Sequence, residues 1–469
     1  MLLGGVAGVA ALGAAAAVML DPVLAVAAIV GVAGCVAVYL EPRMGLIAIG
    51  VFTVLRLPDV ATDYHGAPSL FTPLIAIILF SVAIRSLHSG TRPAGGGRAA
   101  IAIATLAAVA TASLLFAADV PAGIRELGFL VKDGAVAILV GLLLTRSSQL
   151  RTLTWVLIGG GLFLSALTTV QYLTNQFGTT FGGFAQSAVQ EIVGGTDDIR
   201  ISGPIGDPNF YAQWLIMLVP LAIDRYRDET NSVLRAVAAL TTVTCTASIV
   251  FTFSRGALVA LVVVIGLMAL RHPPRPSTII AVLTAGILIF PLLPSGYVDR
   301  MAALADLGGV DIGTDVSLRN RQAEGATAIR MFLDKPLLGI GYGNYLSSYT
   351  SYSRDLGIDL TRKPREAHNL YLETAAEMGV PGILALMGVF GAAFVALSTG
   401  RRRFREMGDL RTDSLGHAIG VALVGYLLTS IFLHMAFARL MWLLVGMALA
   451  FPSTARSENR IRDEGLVSA

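Results

Sequence analysis

The chain has 469 residues, 55% of them hydrophobic and 14% charged, with a formal net charge of +3. Its mean hydropathy is +0.72. Soluble domains carry about 25% charged residues, so this composition excludes a string of water-soluble domains and calls for lipid over much of the surface. Cys35 and Cys245 lie far apart in apolar runs, which leaves no disulfide framework and no zinc spacing. Lys132, Lys335 and Lys363 are the only lysines. The arginine bias has two readings: a compositional one, shared with the abundant Ala, Gly and Val, and a chemical one, since arginine forks fit phosphate and carboxylate.

A membrane-spanning helix needs about 20 mostly apolar residues. Such runs fall at 3–20, 23–40, 44–57, 69–86, 99–117, 128–145 and 152–173, then at 209–223, 232–253, 256–271, 277–293, 379–397, 414–434 and 438–451. In lipid the backbone must satisfy its own hydrogen bonds, so these runs predict helices. The alternation of a membrane β-barrel is missing. The expected fold is an all-α membrane protein with about fourteen transmembrane helices. Residues from Met1 to Leu20 lack the basic start of a secretory signal and are expected to form the first span.

Basic loops tend to face the cytoplasm. The stretches 85–98, 146–151, 225–235, 271–275 and 401–405 are basic, and they alternate correctly if both termini are cytoplasmic. The chain then divides into spans one to eleven over 1–293, with a smaller outer loop near 174–208. A large extracytoplasmic loop follows over 294–378, then the last spans over 379–451, and a polar tail over 452–469 expected to be irregular. A bacterial cytoplasmic membrane is the expected location.

Within the large loop, Ser317 to Asp334 reads as a helix, with Ala323, Ala326, Ile329 and Phe332 on its apolar face and Arg319 and Arg330 opposite. The glycine-rich Pro336–Asn344 invites a dinucleotide-binding reading, but a helix precedes it where that motif needs a strand. A tight turn is expected instead. Pro364 suits the start of a second helix, with His368 in its first turn; Gly379 and Pro381 suit its end. Tyr371 and Leu372 are expected beneath His368, and the cations Arg362, Lys363 and Arg365 crowd the histidine. Asp207 suits a helix cap and, equally, catalysis, Lys132 and Asp133 a structural pairing inside a span, and Glu373 with Glu377 a weak carboxylate pair. His434 shows no partner spacing and is expected to be a loop or packing residue.

His368-Asn369, nine further residues, then Gly379-Val380-Pro381-Gly382 resembles the His-Asn…Gly-x-x-Gly signature of the O-antigen ligase and O-antigen polymerase superfamily. Pro336–Asn344 is similar to that family's loop, and Arg321, or alternatively Arg319, to its upstream arginine. Ser254-Arg255-Gly256 resembles a motif at the outer end of a span. Arg200-Ile201-Ser202-Gly203 followed by Asp207-Pro208-Asn209 resembles a motif leading into one. The likeness runs over about 195–450 in motif order. One departure is Gly325, where many members carry Trp.

The resemblance implies a GT-C-like membrane glycosyltransferase, of ligase or polymerase type, serving polysaccharide biosynthesis in the cell envelope. Its donor would be a glycan on polyprenyl diphosphate, its acceptor a hydroxyl of a glycan, lipid or protein outside the cytoplasm. The residues suit that chemistry. A diphosphate leaving group needs positive charge more than a proton, and Arg255 and Arg321, then Arg200 and Arg319, are the candidate clamps. His368 is the candidate general base, kept neutral by neighbouring cations. Asn369 and Tyr371 are further candidate substrate contacts. Direct displacement would invert the anomeric centre. No metal clamp or cofactor motif is seen; membrane lipids and glycans are the expected partners, and nucleic acid is not. The rival readings are a transporter or flippase of lipid-linked glycans, a peptidoglycan polymerase resting on an outer-loop acid, and a receptor.

Overall fold

The computed structural model describes residues 33–34, 36–89, 95–192, 196–271, 273, 316–358, 363–435 and 438–467. The expected runs at 3–20 and 277–293, and much of 23–40, lie outside them. The other expected runs are helices: α1 (Pro42–Val54) continued by the short α2 (Leu57–His65), α3 (Phe71–Ser89), α4 (Gly97–Ser113), α5 (Val120–Leu143), α6 (Ser147–Leu173), α7 (Pro208–Asp228), α8 (Ser232–Phe251) and α9 (Arg255–Arg271). After α10 (Val316–Asp334) and α11 (Tyr345–Leu356) come α12 (Leu370–Glu406), α13 (Leu410–Thr429) and α14 (Arg439–Val467).

Among the described residues, six helices are long and apolar enough to cross a membrane, or seven if the 52° bend between α1 and α2 lies within one span. The others fall short for local reasons. α5 carries Arg125, Glu126, Lys132 and Asp133, and α13 opens with Arg411 and Asp413. Asp133 and Asp413 are matched inside the protein, Asp413 by Arg271, Arg401 and Arg405. Arg439 reaches Asp133 at 3.1 Å and Asp59 at 3.2 Å, while Lys132 lies 4.6 Å from the Phe129 ring centre. An ion at membrane depth is tolerated when paired in this way. The central helix is α14: 89% of its apolar stretch is buried against neighbouring helices, compared with 28% for α3 and for α4.

Three expectations are corrected. The protein is helical but not all-α, because β1 (Gln186–Ile192) and β2 (Thr196–Gly203) form an antiparallel hairpin with Ala188 opposite Arg200. A hairpin is permitted there because the segment lies outside the apolar runs. The polar tail is not irregular: α14 runs through Pro452 to Val467. The Ser453 and Thr454 hydroxyls donate to the Ala450 carbonyl, and Glu458 accepts from the Ser147 amide and hydroxyl. Those bonds anchor the helix beyond the proline. The buried stripe of α10 is also rotated from the expected one. Ala323 is buried as expected, together with Glu324, Thr327, Ala328 and Met331, but Ala326 and Ile329 are exposed. Two of the buried five are polar, so an apolar count alone misplaces the stripe.

Helix α12 is broken at Gly379, whose φ of 64° and ψ of −159° leave the helical region. The break frees the carbonyls of Ala376 and Glu377, which accept the amides of Ile340 (2.9 Å) and Gly341 (3.1 Å). The Glu377 carboxylate accepts the amides of Gly343 (2.9 Å) and Tyr345 (2.8 Å). The glycine-rich turn is thereby clamped onto the break. A Cβ on Gly379 would come 2.5 Å from the Pro336 carbonyl, and one on Gly339 2.2 Å from the Glu377 backbone. Gly379→Ala is therefore expected to cost at least about 2 kcal/mol. Gly388→Ala in the same helix, where nothing lies within 4 Å, should leave the thermal unfolding midpoint in detergent unchanged.

Candidate active site

The loops at one end of the helices gather the candidate residues. Helix α12 begins later than Pro364: Asn369 is its N-cap and Leu370 its first residue. His368 therefore precedes the helix, on a left-handed backbone with φ of 45°. Such a conformation is uncommon for a non-glycine residue and is held here by its surroundings. The Asn369 oxygen accepts the amides of Tyr371 (3.0 Å) and Leu372 (2.9 Å), and its nitrogen donates to the Ile431 carbonyl. The Leu370 amide donates to the carbonyls of Ser430 and Leu433. These bonds lace the segment between α13 and α14 around the start of α12.

That lacing sets His434 against His368, with ring centres 5.8 Å apart and planes at 88°. Phe210 packs on His434 in the same edge-on manner at 5.1 Å. On the other side, His368 Nδ1 lies 3.2 Å from Glu324 Oε2 and 3.1 Å from the Glu366 carbonyl. Glu324 itself is 3% exposed. Burial opposes a charge on the His368 ring. The bond and charge of Glu324 outweigh both that and the nearby Arg321, so the ring holds its proton above the ordinary 6.5. Sequence reasoning expected the cations to prevail and keep the ring neutral; the carboxylate reverses the direction because it touches the ring.

Arg321 sits one turn before Glu324 on α10, with its guanidinium carbon 5.8 Å from the Phe432 ring centre. Gly256 meets the same ring: a Cβ there would lie 2.5 Å from Phe432 Cδ2. Glycine in Ser254-Arg255-Gly256 thus lets the start of α9 approach Phe432. Arg321 and the start of α9, next to Arg255, approach this ring from stretches far apart in the chain. The side chain of Arg319 is outside the described residues.

Arg200 is 6% exposed. Its Nε donates to the Thr252 carbonyl at 2.6 Å and its Nη2 to Asn209 Oδ1 at 3.2 Å. Asp207 caps α7 by accepting the amides of Asn209 and Phe210. Arg200 thereby ties the hairpin and the start of α7 to the turn before Arg255. The Tyr371 hydroxyl donates to the Leu427 carbonyl. Asn369 and Tyr371 are therefore engaged in holding α12 and α13 together. Glu373 accepts the Met435 amide at 3.4 Å, so it and Glu377 both serve backbone donors.

Glu324 escaped the sequence reading, and His434, read only as a loop or packing residue, packs directly on His368. Glu324 lies 44 positions before His368, and its only signal is a helical spacing from Arg321 that an arginine-centred motif does not include. If Asn369 serves mainly as a cap, Asn369→Ala should lower stability by about 1 kcal/mol while Asn369→Asp largely retains it. Thermal unfolding of the two variants checks this.

Comparison with curated proteins found no match. Among solved structures, a chain described under "Structural coordination of polymerization and crosslinking by a peptidoglycan synthase complex" is similar at a TM-score of 0.41 and 15% identity, over 76% of this chain and 97% of that one. Residues 240–387, which contain Arg255, Arg321, Glu324 and His368, match the family model described as O-antigen ligase, so over that segment the chain is similar to the O-antigen ligase and polymerase superfamily.

Proposed function

We propose that this protein is a membrane glycosyltransferase that moves a glycan from a polyprenyl-diphosphate donor to an acceptor hydroxyl on the extracytoplasmic face. One observation carries the reading. His368, Arg321 and the start of α9, which carries Arg255, come from separate stretches of the chain to one end of the helices: Arg321 lies over Phe432 and its charge acts on His368, and Gly256 packs on the same ring. The family match over the same stretch supports the glycosyl-transfer class.

In this reading, Arg255 and Arg321 neutralise the diphosphate as its bond to the anomeric carbon breaks. Arg200 holds the turn that carries Arg255. His368 accepts the proton of the attacking hydroxyl. Displacement in line inverts the anomeric centre. The arginines supply the positive charge that a metal clamp supplies in other transferases.

The architecture we propose around this site has about fourteen spans in a GT-C-like arrangement, with both termini in the cytoplasm of a bacterial inner membrane. The distribution of charge supports that orientation. At the end opposite His368, Asp413 is bound by Arg271, Arg401 and Arg405, and Arg225 pairs with Asp224. An impermeant thiol reagent on intact cells should label a single cysteine placed at Ser187 and fail to label one at Arg402.

The general-base role predicts that His368→Ala lowers glycan transfer by about 10²-fold or more, and that Arg255→Ala or Arg321→Ala lowers it by about 10²-fold. Complementation of a deletion strain, read as the glycan profile at matched protein level, measures both. A parental profile from His368→Ala would remove the proposal. The sign of the pH dependence follows from the ring. Only neutral His368 accepts a proton, and its proton is held above the ordinary 6.5. Transfer should therefore rise with pH through a midpoint above 6.5 and level off beyond it.

A further inference from the structure

Nothing in the sequence motifs assigns a role to Glu324, yet the fold commits it to His368. A helix rarely buries a carboxylate unless that group is paired. Glu324 is 3% exposed, and its oxygens face His368 Nδ1 at 3.2 Å and Arg365 Nη1 at 3.7 Å. The Tyr345 hydroxyl holds its backbone by donating to the Glu324 carbonyl at 2.7 Å. The clamp of α11 and the glycine turn on Glu377 therefore also fixes Glu324.

The partners of the ring settle its tautomer. Nδ1 has two neighbours within hydrogen-bond distance, the Glu324 carboxylate and the Glu366 carbonyl, and both are acceptors. Nδ1 must carry the hydrogen, which leaves the lone pair on Nε2. His434, whose own Nδ1 has no partner among the described residues, packs edge-on against the ring. The His368 side chain remains 36% exposed, so its outer edge can be reached.

We infer that Glu324 is the positioning residue of His368, holding Nδ1–H so that Nε2 faces the acceptor and stabilising the imidazolium that forms. The inference rests on the reading of His368 as the base. The acceptor O–H proton passes to Nε2 as its oxygen bonds to the anomeric carbon. The carbon–oxygen bond to the diphosphate breaks, and the electron pair leaves with the diphosphate. The imidazolium faces Glu324 until its proton returns to water. The charged and titratable groups around the ring are Glu324 and Arg321 from α10, Arg365 and Glu366 from its own segment, and His434 from the segment before α14.

Diethyl pyrocarbonate, which acylates neutral imidazole, provides a readout free of substrate. Modification of the His368 peptide is followed by mass spectrometry against pH in the purified full chain. The midpoint should lie above 6.5 in the parent protein and move to lower pH in Glu324→Gln. Glu324→Asp, which keeps the charge, should hold the midpoint near the parent's. In the complemented deletion strain, Glu324→Gln should lower glycan product by at least about 10-fold at matched protein level, and Glu324→Asp should recover part of it. An inactive His368→Ala together with a Glu324→Gln that keeps both the parental midpoint and the parental product overturns the positioning role alone. A fully active His368→Ala overturns the base reading and this inference with it.

Discussion

The clamp between Glu377 and the glycine-rich turn is the constraint on which the rest of the site depends. Helix α12 cannot pass Gly379 as a regular helix, and the carbonyls freed there need donors. Ile340 and Gly341 supply them, and the Glu377 carboxylate binds the next two available amides, those of Gly343 and Tyr345. Because α10 leads into this turn and α11 leads out of it, the clamp fixes both helices on α12. Glu324 on α10 is then held against His368, just before α12 begins.

The second constraint is the lacing at the start of the same helix. The exposed amides of a helix N-terminus usually find side-chain caps. Here the Asn369 oxygen caps two amides, and backbone carbonyls of residues 430 and 433 accept the Leu370 amide. One short helix segment between Leu370 and Met378 is thus tied at both ends to different parts of the chain. His368 and His434 meet as a result. The arginines arrive from the side, Arg321 with α10 and Arg255 with the start of α9, where Arg200 steadies the preceding turn through the Thr252 carbonyl. Motif residues consequently divide by what they touch. Asp207, Asn209, Asn369, Glu377 and Gly379 build the frame, while His368 keeps an exposed edge.

Charge is distributed with the same economy along the membrane normal. Arginines at the end opposite His368 converge on Asp413 and Asp224, and Arg439 nearer the site bridges Asp59 and Asp133. Asp59, Asp133, Asp224 and Asp413 are paired in this way, and breaking such a pair by removing one member leaves a buried charge uncompensated. Asp133 and Asp413, which weaken α5 and α13 as isolated spans, thereby become ties between helices.

The sequence by itself determined the helical membrane class, the positions of the described apolar helices, the turn at Pro336–Asn344 and the interest of His368. Each of these is written in residues close together in the chain: an apolar run, a glycine pattern, a short signature. Only the tertiary structure decided that Glu324 lies under His368, that His434 packs beside it, that Asn369 and Tyr371 are engaged in the frame, and that α10 buries its polar stripe. It also decided the start of α12, the hairpin before α7 and the helical tail. The physical reason is the same in every case. Hydropathy and spacing report how a segment meets lipid or water, whereas a buried carboxylate is stabilised by a partner distant in sequence, and that partner is chosen by how the helices pack.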